Sequence, residues 1–213
     1  MVTVYKCIDD FVDKAELRIP IYTNDIFEYV KKRIPDLSKA TFNMTLQRYE
    51  KARKDFVRFQ KGIYYKTKET PFGFAGIDKT ALITRKYIND GGEIYGYETG
   101  PSYINKLGLT TQMSNMIYIA TINTRYNVED KENKIFLIKP VIEINKDNYR
   151  YLQFLDIIDN KMNVKFETKD YKKILRKYIK TYNLTFEKLI GYAKYYNSNN
   201  VYIGLSNLAQ GVK

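Results

Sequence analysis

Residues 38–68 read SKATFNMTLQRYEKARKDFVRFQKGIYYKTK, and this stretch decides the fold of the N-terminal part of the chain. It begins with a serine, a residue type that caps helix N-termini. Phe42, Leu46 and Tyr49 follow at helical spacing and predict one apolar helix face. Two β-prone runs then flank Gly62, which can adopt the positive φ that a tight hairpin turn requires. The stretch therefore predicts a helix that leads directly into a β-hairpin.

Two further helices are predicted upstream of this stretch. Apolar residues recur at the spacing of one helix face between Ile8 and Ala15. A second helix is capped near Thr23 and is ended by Pro35, because a proline drives the residue before it out of the helical region. Three helices and a basic hairpin are the parts of a winged helix-turn-helix, which we place at residues 1–70.

The remaining residues, 71–213, predict a mixed α/β domain with a helical C-terminal part. Its predicted elements are a helix over 77–89, a strand over 94–97, a short helix over 101–107, paired β-rich runs over 116–122 and 134–144, a buried helix over 149–158, two amphipathic helices over 168–181 and 185–197, and a last packing segment over 201–208. We therefore assign the chain to the α+β class, with two domains.

Charge is spread unevenly along the chain, whose formal net charge is +12. Residues 39–68 hold nine basic side chains and two acidic ones, whereas residues 1–38 hold six basic and seven acidic ones. An excess of positive charge favours a polyanionic partner, either nucleic acid or an acidic membrane surface. The alternative is a lysine-rich composition that only solubilises the protein, and the concentration of charge in one segment argues against it.

The absence of certain residue types and motifs excludes most of the common arrangements of catalytic residues. The chain has no histidine and a single cysteine, Cys7, which excludes histidine-based triads and the usual Cys/His zinc sites. It also lacks the phosphate-binding loop and the dinucleotide-binding glycine pattern. No apolar run reaches the roughly 18 residues of a membrane span, and the N-terminus lacks a signal-peptide core. We expect a cytoplasmic protein that is not an enzyme, binds no cofactor or metal and does not bind membranes.

The outward face of the helix after Ser38 and the following hairpin form the first candidate site. Asparagine and glutamine can bond adenine, and arginine can bond guanine, so Asn43, Gln47 and Arg48 suit base edges. The basic residues suited to phosphates on this helix are Lys39, Lys51, Arg53 and Lys54, and those on the hairpin are Arg58, Lys61 and Lys66. The alternatives are a solvated helix face and a charged hairpin that protects a sheet edge.

A second basic strip is predicted on the helix at 168–181. Its members are Lys172, Lys173, Arg176, Lys177 and Lys180, with Lys169 at the start of the same segment. Most of them avoid the predicted apolar face of the helix. Three interpretations stay open: contact with DNA flanks, contact with an acidic partner protein, and a solvated face.

Two further segments contain residue types that occur in catalytic sites. Asp159 and the run Glu167-Thr168-Lys169 loosely resemble the acidic and lysine pattern of metal-dependent nucleases, in which carboxylates hold Mg²⁺. Glu167 also suits the N-terminus of a helix, which is the simpler explanation. Residues 96–113 are rich in glycine, threonine and amides, and Glu98 is their one candidate base. A structural turn–helix–turn is the preferred interpretation of that segment.

Three parts of the sequence together resemble a known family. They are FQKGIYY at 59–65, TGPSYINKLGLTTQ at 99–112, and LQFLDIID at 152–159 followed by AKYY at 193–196. On these residues the chain resembles the abortive-infection (AbiEi-like) antitoxin family of type IV toxin–antitoxin systems over nearly its whole length. The run Gly-Leu-Thr-Thr-Gln at 108–112 is the most specific part. Tyr103 departs from the family pattern, which has a small residue there.

The resemblance implies an antitoxin that represses its own promoter. In the family, a winged helix binds inverted repeats in double-stranded DNA of that promoter, and the C-terminal domain counters a nucleotidyltransferase-like toxin without a need for direct binding. By motif position, Asn43, Gln47 and Arg48 would lie on the recognition helix and Lys61 on the wing. A stand-alone DNA-binding regulator and, less favoured, a Mg²⁺-dependent nuclease are the alternatives.

Overall fold

The computed structural model describes residues 3–210, so residues 1, 2 and 211–213, at the outer ends of the two predicted domains, lie outside it. Within the described residues the chain is a mixed α+β protein of nine helices and four small sheets. It divides into two compact units, one up to Ile83 and one from Thr84 onward. The α+β class predicted from the sequence is therefore confirmed.

The first unit contains three helices and a three-stranded antiparallel sheet. Its main elements are α1 (Val4–Lys14), β1 (Pro20–Tyr22), α2 (Thr23–Lys31), α3 (Lys39–Ala52), β2 (Phe56–Gln60) and β3 (Ile63–Lys66). The strand order is β1-β3-β2, so β3 is central and β1 supplies the outer strand that the sequence did not predict. Gly62 has a φ of 82° in the turn between β2 and β3, as predicted.

The core of the first unit is made by the inner faces of its helices. Ser38 caps α3 as predicted, with its Oγ accepting a bond from the Thr41 amide at 3.1 Å. The core side chains that are buried here include Ile8, Val12, Ile26, Val30, Phe42, Leu46, Tyr49, Phe56 and Tyr64. The rings of Phe56 and Tyr64 stack 4.8 Å apart and join the sheet to this core. The predicted apolar faces of α1, α2 and α3 are therefore confirmed.

The first unit extends past the boundary predicted after residue 70. That boundary falls inside a small hairpin, β4 (Glu69–Thr70) and β5 (Gly73–Phe74). Beyond the hairpin, Arg18 Nε donates to the Gly76 carbonyl at 2.9 Å and the Asp78 amide donates to the Arg18 carbonyl at 2.8 Å. These bonds tie residues 76–78 to the loop after α1, and the observed division falls inside α4 (Lys79–Tyr87).

The second unit is built around a four-stranded mixed sheet. The strands of the whole unit are β6 (Asn89–Asp90), β7 (Glu93–Ile94), β8 (Gly96–Thr99), β9 (Ile117–Thr121), β10 (Val128–Asp130) and β11 (Ile135–Ile138). The order of the main sheet is β10-β11-β9-β8, with β9 and β11 parallel, while β6 and β7 form a separate hairpin. The predicted pairing of the two β-rich runs is confirmed, and β11 stops before Pro140, which has no amide hydrogen to pair.

Five helices complete the second unit, and one of them lies at its centre. They are α5 (Gly100–Lys106), α6 (Tyr149–Asp159), α7 (Tyr171–Thr181), α8 (Phe186–Ala193) and α9 (Asn199–Ala209). Leu152, Phe154 and Leu155 on α6 are fully buried, and α6 packs against β8, α5, α8 and α9. The predicted buried helix is confirmed. None of the helices in the described part of the chain is long and apolar enough to cross a bilayer.

Candidate nucleic-acid interface

The outward face of α3 carries a continuous set of exposed polar and basic side chains. They are Lys39, Asn43, Gln47, Arg48 and Lys51, with Lys54 just after the helix end. On the opposite face Phe42, Leu46 and Tyr49 are buried, so the rotation of the helix about its axis is fixed by the core. The structure therefore presents five of these predicted residues to solvent on one helix, and Lys54 directly after the helix end.

The hairpin of β2 and β3 presents two more of the predicted basic residues. Arg58 and Lys61 are exposed, and Arg58 Nε donates to the Gln60 carbonyl at 3.4 Å. A bulge between Arg58 and Gln60 twists the edge strand just before the turn. Phe59 lies within this bulge and is also exposed. The tip thus offers two cations and one aromatic ring.

Lys66 has a different environment from the other predicted contacts. Its Nζ donates to the carbonyls of Val12 and Asp13, at 3.2 and 2.9 Å, and its side chain is half-buried. These carbonyls lie in the last turn of α1, the helix end that carries partial negative charge, and the Val12 carbonyl also accepts from the Ala15 amide at 3.1 Å. The ammonium group of Lys66 thus caps a helix of the protein itself, which argues against the predicted phosphate contact.

Arg53 is likewise engaged inside the protein. Its guanidinium is 2.8 Å from Asp9, 2.7 Å from Asp13 and 2.7 Å from Asp55, with 21% of the side chain exposed. The hydrogen bond from Arg53 lowers the pKa of Asp55, and the same bond raises the pKa of Arg53. These ion pairs argue against the phosphate contact suggested for Arg53, since this side chain joins α1 to the end of α3.

Tyr49 completes the cluster around Arg53. Its hydroxyl donates to Asp9 Oδ1 at 2.8 Å and accepts from Arg53, while its ring lies edge-on to Phe56. Burial raises the pKa of Tyr49, and the bond to Asp9 raises it further. The hydroxyl therefore stays protonated and neutral at physiological pH, and its role is to link the polar cluster to the core.

The residues of the second basic strip, on α7, differ in their exposure to solvent. Lys173, Lys177 and Lys180 are exposed, whereas Lys172 and Arg176 are half-buried. One terminal nitrogen of Arg176 donates to the Leu208 carbonyl at 3.3 Å, near the C-terminal end of α9. Arg176 thus packs within the second unit, and three lysines remain as a solvent-facing strip.

The residues that suggested a nuclease do not converge. The Asp159 side chain is only 3% exposed and pairs with Lys161 at 3.4 Å. Glu167 accepts a bond from the Thr111 amide at 2.7 Å, and bonds with Thr111 lower the pKa of its carboxyl group. Among residues 3–210 no group of three or more His, Cys, Asp or Glu side chains is placed to hold a metal ion. Glu167 also precedes the first turn of α7, so it is not the helix-terminal acid that the simpler explanation required.

Glu167 instead braces the loop at residues 109–111. Besides its bond to Thr111, its amide donates to the Leu109 carbonyl at 2.9 Å. Asn105 Nδ2 donates to the Thr110 carbonyl at 3.0 Å, and Gly100 begins α5 with a φ of 63°. Glu98, the one candidate base, is paired with Lys106. The predicted helix of this segment is confirmed as α5 and is followed by a braced loop, but the strand β8 precedes it where a turn was predicted.

A buried polar cluster in the second unit was not predicted from the sequence. The carboxylate of Asp156 accepts hydrogen bonds from the hydroxyls of Tyr97, Thr99 and Tyr196, at 3.1, 3.0 and 2.7 Å. Burial raises the pKa of Asp156, although the three hydroxyl bonds oppose this shift. The sequence signal was an acid within the apolar run at 152–158, a position where a charge requires partners.

A second polar contact links α6 to α7. Gln153, which is buried, accepts from Tyr178 and Arg150 and donates to the Glu98 carbonyl, at 2.7, 2.8 and 2.8 Å. The Arg150 guanidinium lies 4.0 Å from the ring centre of Tyr182. Every polar end of Gln153 is thus satisfied, so these bonds fix the relative position of β8, α6 and α7.

No protein-family model matches this chain, and no curated protein matches it.

Proposed function

We propose that this chain is a DNA-binding transcription regulator whose first unit acts as a winged helix-turn-helix on double-stranded DNA. The observation that carries the proposal is the exposed face of α3, where Asn43, Gln47 and Arg48 lie among lysines and the opposite face is locked into the core. Because the core fixes the rotation of α3, this helix can enter the major groove without a rearrangement of the rest of the unit. The hairpin with Arg58 and Lys61 supports the same function as a wing.

In this proposal the residues of α3 divide into two roles. Asn43, Gln47 and Arg48 read base edges, since their side chains match the donor and acceptor patterns of adenine and guanine. Lys39, Lys51 and Lys54 contact phosphates and set the register of the helix on the duplex, without distinguishing sequences.

The specific form of the proposal is an antitoxin that represses its own promoter and counters a nucleotidyltransferase-like toxin. Its support is the resemblance over 99–112 and 152–159, two stretches that the structure brings together through the bond from Thr99 to Asp156. The stretch at 193–196 joins them through Tyr196, whose hydroxyl bonds the same carboxylate.

The DNA-binding half is tested by measuring affinity for the DNA upstream of the chain's own gene and for a scrambled duplex. We expect Gln47→Ala to reduce the preference for the upstream sequence, because one bidentate base contact contributes about 1–3 kcal/mol of discrimination. Lys54→Ala should weaken binding to both duplexes by the same factor. Lys6→Ala, which removes an exposed charge from α1, is the matched control. Equal losses on both duplexes for both test variants would reject the base-reading role of Gln47.

The antitoxin half has a separate test. Co-expression with a nucleotidyltransferase encoded next to this chain should restore the growth that the toxin arrests. Continued arrest in the presence of soluble full-length chain would reject the antitoxin role. Repression without such a neighbouring gene would favour the second candidate, a stand-alone regulator.

A further inference from the structure

The tip of the β4–β5 hairpin carries an aromatic side chain with no contact to the rest of the protein. Phe72 is 100% exposed, and Phe74 on the following strand is 56% exposed. Of the described residues, Phe72 is the most exposed large apolar side chain. Pro71 beside it is also exposed. The first unit thus displays two adjacent apolar residues at a protruding turn.

This turn is braced by its own polar groups. The Thr70 hydroxyl donates to the Gly73 carbonyl at 2.5 Å and accepts from the Phe72 amide at 3.3 Å. Gly73 has a φ of 99°, which a residue with a side chain rarely adopts, and the proline ring fixes φ at position 71. The backbone that carries the Phe72 ring is therefore a turn with little conformational freedom.

The base of the hairpin is anchored as well. The Thr67 hydroxyl donates to the Ala75 carbonyl at 2.6 Å and closes the two strands. The Thr67 amide donates to the Asp55 carbonyl at 2.8 Å, directly after Lys54 at the end of the α3 segment. Thr67 is itself buried, so the arm begins from the packed part of the unit. The hairpin thus projects from the end of the segment that carries the α3 cations.

We propose that the Pro71-Phe72 tip is an apolar wedge that inserts between base steps in the minor groove, beside the duplex segment contacted by α3. This inference rests on the proposed function. Phenylalanine and proline are among the residues that unstack base steps in this way. Lys54 and Lys68, both exposed near the base of the arm, supply the positive charge that a DNA backbone requires. A pre-ordered arm binds without the entropic cost of ordering it.

The test is fluorescence of 2-aminopurine placed at successive positions in the upstream duplex, with affinity measured in parallel. We expect the full-length protein to raise the fluorescence at one or two adjacent positions, because an unstacked 2-aminopurine is less quenched. Phe72→Ala should abolish that rise and weaken binding by about tenfold to a hundredfold, since the burial of one phenylalanine is lost. Phe72→Leu should retain most of the rise, because leucine also acts as a wedge.

Two controls separate the possible results. Met113→Ala removes another highly exposed apolar side chain, from the second unit, and should change neither readout. Because Phe72 is fully exposed, Phe72→Ala should melt at the wild-type temperature.

Binding by the wild type with unchanged fluorescence at every position, and equal affinity for Phe72→Ala, would overturn the wedge and leave the proposed DNA function intact. An absence of any duplex binding by the wild type at low salt would overturn both. Loss of a protein partner by Phe72→Ala, with unchanged DNA binding, would assign the tip to a protein surface and overturn the wedge.

Discussion

Lys66 shows that the type and position of a side chain do not reveal the contacts it makes within the protein. It lies on the hairpin of a basic segment, so its charge suggests a phosphate contact. In the structure it reaches back across more than fifty residues of chain to the carbonyls of Val12 and Asp13. Because these partners are so far apart in the sequence, no local pattern indicates the contact.

The first prediction concerns Lys66 and its neighbour on the hairpin, Lys61. Lys66→Met should lower the free energy of unfolding by about 1–2 kcal/mol, because two carbonyls at the end of α1 lose a charged donor. Lys61→Met should leave stability within about 0.5 kcal/mol, since its side chain is exposed. Urea unfolding of both variants checks this. Equal stability of the two would contradict the capping role of Lys66.

The second prediction concerns the buried carboxyl group of Asp156. Burial raises its folded-state pKa above the unfolded value, so the folded state binds the proton more tightly. Stability contributed by this group is present below the unfolded pKa and is lost as the pH rises toward the folded pKa. Asp156→Asn should remove this loss, because the neutral amide can still accept from Thr99 and Tyr97.

Urea unfolding between pH 4 and 8 measures this effect. Asp147→Asn, at an exposed acid in the same unit, serves as the control and should keep the wild-type pH profile. A decline in stability with rising pH that is as steep in Asp156→Asn as in the wild type would show that other groups cause it.

At the scale of elements, α3 and its hairpin follow from local patterning. The periodicity of Phe42, Leu46 and Tyr49, the cap at Ser38 and the turn at Gly62 are each encoded within a few residues, and each is observed. The strand β1 was missed because three residues are too few for a periodic signal, and it exists through pairing with distant β3. Next to this pairing the Thr23 amide donates to the Gly62 carbonyl, and α2 begins at Thr23 without a side-chain cap.

The third prediction compares two helical glycines. A Cβ added at Gly204 on α9 would lie 2.4 Å from Ile158 Cγ2, whereas one at Gly191 on α8 would meet nothing within 4 Å. Gly204→Ala should destabilise the protein by about 1–3 kcal/mol through overpacking. Gly191→Ala should stabilise it by up to about 1 kcal/mol, because alanine loses less backbone entropy in a helix. Thermal unfolding of both variants checks the signs, and stabilisation by both would contradict the close packing of α9 on α6.

At the scale of the whole molecule, charge is the property that bears most on function. The exposed cations that the proposed DNA interface on α3 and its hairpin uses are Lys39, Arg48, Lys51, Lys54, Arg58 and Lys61, and the proposed wedge adds Lys68. Arg53 and Lys66 are engaged internally. The surface charge offered to a partner is therefore smaller than the sequence count suggests, because part of it neutralises the protein's own acids and helix ends.

The fourth prediction is the salt dependence of DNA binding. If those seven cations each neutralise one phosphate, the slope of log affinity against log salt should be about −6. Lys51→Ala should make it shallower by about one, and the Lys173, Lys177 and Lys180 triple alanine variant should leave it unchanged. A steeper slope that the triple variant reduces would show that the strip on α7 also meets DNA. A slope near zero would contradict an electrostatic interface altogether.

The sequence by itself determined eight of the nine helices in the described residues, the main hairpin, the α+β class and the concentration of positive charge in residues 39–68, whereas it predicted α9 only as a packing segment over 201–208. These properties depend on residue type and on spacing within one or two turns, so they can be predicted from a short window. Only the tertiary structure decided that Arg53 and Lys66 are engaged internally, that Asp156 is the centre of a buried hydrogen-bonded cluster, and that the first unit ends at Ile83. Most of these contacts join residues about forty or more positions apart. Their formation depends on burial and on the pairing of charges in a low-dielectric interior, and the local sequence does not encode either.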